Sequence, residues 1–140
     1  MSDEEHETRI RRLDERIADC ERRISQAHEK TRESEKQAKT YDEASSIIIN
    51  WNRQVTDAWQ DLHQHVKGDT EWRQLEQDNE EREAGFRQTQ NGCAETYDIL
   101  TNQARRQHKN ALDIRDEQES LYRTKHKYEN KEKQGRGPWD

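Results

Sequence analysis

An uncharged stripe along the first half of the chain limits what it can fold into. Steps of three and four residues from Ile10 give Ile10, Leu13, Ile17, Cys20, Ile24, Ala27, Thr31, Ser34, Ala38, Tyr41, Ser45, Ile48, Asn52, Val55, Trp59, Leu62 and Val66. None of these 17 positions is charged, although charged residues make up 40% of the chain. Independent placement at that frequency would leave all of them neutral roughly twice in ten thousand trials, so the spacing is taken as structural. A sustained 3–4 spacing is the seam of a coiled coil, a narrow edge that must lie against another helix.

Composition limits the alternatives. Apolar residues are only 26% of the 140, too few for a core of several layers. Low hydrophobicity with heavy charge also suits disorder, but a disordered chain has no reason to space its apolar residues periodically. The single proline is Pro138, so no internal ring interrupts a helix. Gln, Glu, Arg, Lys and Ala lose little rotamer freedom in a helix. The expected class is all-α.

The best turn signal is His65-Val66-Lys67-Gly68-Asp69-Thr70-Glu71-Trp72, close to the midpoint. Gly68 suits a left-handed C′ position, and Asp69 or Thr70 can cap a new helix. A second stripe follows: Trp72, Leu75, Asn79, Phe86, Cys93, Tyr97, Leu100, Ala104, Gln107, Ala111, Ile114, Gln118, Leu121 and Tyr128. It needs one extra four-residue step between Phe86 and Tyr97, and Gly85 and Gly92 flank that step as a candidate kink. A break at Asn91-Gly92 would instead give three helices.

The predicted architecture is a long antiparallel helical hairpin, a two-helix coiled coil forming one domain over 1–133. Its helices run over about 4–67 and 71–132, with the turn at 68–70 and a disordered tail over 134–140. With the turn centred on Asp69, residue i faces about 138 − i. Val66 then meets Trp72, Ala38 meets Leu100, Ile24 meets Ile114 and Ile17 meets Leu121. Thr31 falls opposite Gln107 as a polar layer able to fix register.

The formal charge of −6 argues against binding a phosphate backbone, which needs a basic field. Residues 42–95 hold 12 acidic and 5 basic side chains, whereas 105–136 hold 6 and 10. The longest apolar run, Ile47-Ile48-Ile49, is far too short to span a membrane. The acidic start, Met1-Ser2-Asp3-Glu4-Glu5, lacks the apolar segment of a cleaved leader, so cytoplasmic synthesis is expected, with export by a leaderless route left open.

His28-Glu29 is followed by Arg32 where a metalloprotease helix needs its second histidine. His63 and His65 point about 200° apart on a helix, which suits solvation better than one metal. Cys20 and Cys93 do not face each other under the pairing rule and read as small seam residues. No phosphate loop or nucleophile–base set stands out, so no catalytic, cofactor-binding or metal residues are predicted. Around Ile47, Ile48, Ile49 and Trp51 the helix is apolar nearly all round, beside Val55 and Trp59, with Trp72 and Phe86 on the facing helix. These eight residues are read as a partner-binding patch, the alternative being a thicker core near the turn.

The stretch from Trp59 through Gly68-Asp69, Trp72 and Leu75 leads into a Glu/Arg/Gln-rich helix. That helix ends in Arg115-Asp116-Glu117-Gln118-Glu119-Ser120-Leu121-Tyr122-Arg123. Over about 45–132 this pattern resembles the small helical accessory proteins of LXG toxins, which leave Gram-positive bacteria through the type VII secretion system. The turn differs from related WXG-type hairpins, reading Val66-Lys67-Gly68-Asp69 in place of Trp-x-Gly. The resemblance implies a targeting chaperone that binds the toxin's N-terminal helical domain beside a second small accessory protein. It also implies a Tyr-x-x-x-Asp/Glu export signal, matched here by Tyr128 and Glu132. The rival expectation is a coiled-coil escort or stalk protein of a flagellar-type export apparatus; an antitoxin-like or nucleic-acid-associated helical protein is weaker still.

Overall fold

The computed structural model describes residues 2–66 and 68–135, with the side chains of the second helix described through Lys131. It is an all-α hairpin of two long helices, α1 (Asp3–His63) and α2 (Asp69–Gly135). α1 starts with a capping interaction that sequence reading overlooked. The Glu5 amide donates to Ser2 Oγ at 3.3 Å and the His6 amide to the Ser2 carbonyl at 3.1 Å. Ser2 and Glu5 stand at the spacing of a capping box, and Asp3, Glu4 and Glu5 put negative charge on the positive helix end.

The turn differs from expectation. α1 stops at His63, not near 67, and α2 begins at Asp69, two residues early. The His65 amide closes back on the Leu62 carbonyl at 3.0 Å, a tightened last turn that leaves a longer loop to reverse the chain. Gly68 has no positive φ; its carbonyl accepts the first α2 bond, from the Trp72 amide at 2.9 Å. It is therefore an N-cap, not a C′ residue. At the far end α2 continues through Gly135, past the expected limit near 132, and 136–140 lie outside the described residues. No break occurs at Asn91-Gly92, so the three-helix alternative is discarded: α2 runs unbroken through Gly85 and Gly92.

Contacts divide the hairpin into two units: residues 1–33 with 103–140, and 34–102. In the first, Leu13, Ile17, Cys20, Ile114 and Leu121 form a buried cluster flanked by Ile24 and Tyr128. Ala27, Ala104 and Ala111 are buried beyond it, small enough to let the backbones approach. Arg23 pairs with Glu117 at 3.5 Å and Lys125 with Asp14 at 2.6 Å across the seam. The hydrogen bond that the Lys125 ammonium donates to Asp14 raises the lysine above its usual range, so Lys125 stays protonated through neutral pH and gives up its proton only in strong alkali.

The second unit, 34–102, has only Ala38 and Leu100 fully buried among its apolar residues. Polar side chains share its seam. Ser45 Oγ meets Gln90 Oε1 at 2.6 Å, and Gln90 Nε2 donates to the Ser45 carbonyl at 3.1 Å. Arg82 donates to Asn52, to Asn79 at 2.8 Å and to Thr56 at 3.3 Å. Such a seam buries less apolar surface, and its hydrogen bonds make register specific.

Candidate functional site

The eight predicted partner-binding residues occupy three different places. Ile48, Val55, Trp59, Trp72 and Phe86 are half-buried in the seam of unit 34–102. Trp59 and Trp72 lie 5.6 Å apart, ring centre to ring centre, and His63 stands edge-on to Trp72 at 4.0 Å. Trp72 therefore packs in an aromatic group with His63 and Trp59. His63 is part of this aromatic group, not simply solvated, while His65 Nδ1 lies 2.7 Å from the Asp61 carbonyl.

The remaining three are exposed, but on opposite sides of the hairpin. Ile47 is 69% exposed and Trp51 53%, while Ile49 is 45% exposed. At 100° per residue, Ile47 and Trp51 are 40° apart and Ile49 is about 160° from Trp51. In an antiparallel pair, the positions just before the first seam residue of each heptad share one face, and those just after the second share the other. Asp42 of α1 and Ala94 and Asp98 of α2 line one shallow hollow, which fixes the face of the second kind. Ile49 belongs to that side. Ile47 and Trp51 share the opposite face with Gly85, Thr89, Gly92 and Thr96 of α2.

That opposite face is uncharged. Positions 37, 40, 44, 47, 51, 54 and 58 of α1 and 85, 89, 92, 96 and 99 of α2 read Gln, Thr, Ala, Ile, Trp, Gln, Ala and Gly, Thr, Gly, Thr, Ile. Ile99 is 57% exposed. A Cβ placed on Gly85 or Gly92 would meet nothing within 4 Å, so neither glycine is needed for packing within the hairpin. The hydroxyls of Thr89 and Thr96 donate to the Gly85 and Gly92 carbonyls, both at 2.9 Å. Sequence reading found Ile47 and Trp51 but missed the α2 half of this face, because glycine and threonine carry no apolar signal.

Elsewhere the structure gives the expected residues other work. Tyr128 is half-buried at the end of the unit 1–33/103–140 seam, taking a bond from Arg9 at 3.4 Å and the His6 ring at 5.8 Å. The side chain of Glu132 lies outside the described residues. Thr31 is buried and Gln107 half-buried, and the Thr31 hydroxyl donates to the Ala27 carbonyl of its own helix at 2.9 Å. Cys20 and Cys93 are both free thiols in different units. Burial pushes the Cys20 thiol above its ordinary range. Cys93 is half-buried beside a surface hollow. An aromatic disulfide reagent should therefore label Cys93 at least about tenfold faster than Cys20 in the native protein, and equally fast in urea. Equal native rates would show that the Cys20 layer opens.

Among the described residues, no group of three or more His, Cys, Asp or Glu side chains is placed to hold a metal ion, and no helix is long and apolar enough to cross a membrane. No family model, curated protein or solved structure matches this chain.

Proposed function

We propose that this chain is a non-enzymatic adaptor that binds the N-terminal helical domain of an LXG toxin and helps present it to the type VII secretion system. The observation that carries the reading is the exposed pair Ile47 and Trp51 on an uncharged face of a helical hairpin. Isolated exposed apolar residues are ordinary, but a tryptophan and an isoleucine on a face without charge are what an interface anchor needs. The type VII assignment rests on the pattern over about 45–132, and a second small helical accessory protein is the expected companion.

Copurification of the toxin's helical domain with this chain tests the reading. Trp51→Ala and Ile47→Asp should each reduce capture at least about tenfold, the loss expected when a central aromatic or aliphatic anchor is truncated. Both positions are exposed, so the fold should survive, as unchanged far-UV circular dichroism would show. Ile48→Asp is a poorer probe, because Ile48 is half-buried in the seam. No capture of any such domain by the wild-type chain would end the toxin reading. An export ATPase captured in its place would establish the rival escort role.

A further inference from the structure

We infer that the face bearing Ile47 and Trp51 is built to receive one amphipathic helix whose apolar stripe is flanked by lysine or arginine. This rests on the adaptor reading above and adds the partner's chemistry and the face that it uses. Between residues 36 and 62 of α1 and 76 and 99 of α2, the charges nearest this face are Lys36, Glu43 and Asp57 beside α1, Glu95 beside α2, and Asp61, Asp78 and Glu81 across its turn end. Six of these seven are acidic and all are exposed. The arginines of the same stretch are placed elsewhere. Arg82 is in the seam, and helical spacing puts Arg53 and Arg87 on the opposite face. A neutral strip bordered mainly by acidic side chains is the complement of an apolar stripe flanked by basic ones.

The relief of the strip suits a helix. α1 supplies the projecting groups, Ile47 and Trp51, while α2 at the same level supplies the bare backbone of Gly85 and Gly92. A third helix can seat its larger side chains over the glycines and be held laterally by the tryptophan. Desolvating Thr89 and Thr96 costs little, since both hydroxyls already have partners. A second copy of the chain fits worse, because superposing two such faces brings acidic edge against acidic edge.

The test uses the full chain and two labelled 21-residue helical peptides with the same leucine stripe, one flanked by lysine and one by glutamate. Fluorescence anisotropy should show the lysine peptide binding at least tenfold tighter at 150 mM salt, with the preference shrinking at 600 mM. Gly85→Gln, Gly92→Gln and Trp51→Ser should each weaken it tenfold or more. The glycine variants should keep or raise the thermal midpoint, so lost binding cannot be ascribed to unfolding. Equal affinity for the two peptides, failure of the lysine peptide to bind, or full affinity in the glycine variants would overturn the inference. So would a concentration-dependent dimer dissolved by those same substitutions, which would give the face to a second copy. Capture of the toxin domain without these peptide effects would leave the adaptor reading standing and remove only this face from it.

Discussion

Ile114→Asp should cost at least about 4 kcal/mol, close to the whole stability of a marginal domain. Ile114 is 3% exposed and packs in the cluster with Leu13, Ile17, Cys20 and Leu121. Removing the side chain alone, as in Ile114→Ala, should cost about 2–3 kcal/mol, near the low end for a buried aliphatic, because two helices can close part of the gap by a small shift. The aspartate adds a carboxylate at a position with almost no solvent, and its desolvation supplies the difference. Leu112→Asp is the control: two residues away on the same helix, Leu112 is 45% exposed, and its change should stay within about 0.5 kcal/mol. Urea unfolding followed by circular dichroism reads both. Similar midpoints for the two aspartate variants would show that the seam of this unit is not a dry core.

The sequence told more about where the helices touch than about how they begin, turn and hold register. Of the 17 positions in the first stripe, 15 are buried or half-buried, and Tyr41 and Leu62 are the exceptions. Both lie in unit 34–102, where polar side chains share the seam. The second stripe fared similarly, with Tyr97 as its one exposed member. The pairing rule was close: residue numbers total 137 for Arg9 with Tyr128, 140 for Arg23 with Glu117 and 135 for Ser45 with Gln90. The helix ends at the turn are set by cap bonds and loop geometry that periodicity does not encode. The candidate surface was half legible. Exposed apolar residues announce themselves in a polar chain, whereas Gly85 and Gly92 matter through the room they leave, which only the assembled hairpin makes visible.

Arg82 is the residue the stripes concealed most completely, and Arg82→Ala should destabilise the hairpin by about 1–3 kcal/mol. It stands three residues after Asn79 and four before Phe86, so the seam passes through it, yet its charge excluded it from any apolar pattern. Its side chain is only 17% exposed. The guanidinium donates to Asn52 and Thr56 of α1 and to Asn79 of its own helix, and Glu83 lies 4.0 Å away. Truncation leaves the Asn52 and Asn79 carbonyl oxygens without their donor in a half-buried layer, which costs more than a lost surface pair. Arg82→Lys should recover little, because an ammonium lacks the planar fork that reaches three acceptors at once. Arg82→Met should recover more in stability, since it restores the packed stem. It should not restore register. With the polar layer reduced to Ser45 and Gln90, a spin-label pair at Asn50 and Gly85 should report a broadened distance distribution in Arg82→Met and a narrow one in the wild type. If Arg82→Ala shifts the urea midpoint by no more than an exposed control such as Arg73→Ala, the guanidinium is hydrated in solution and the seam of unit 34–102 is organised around something else.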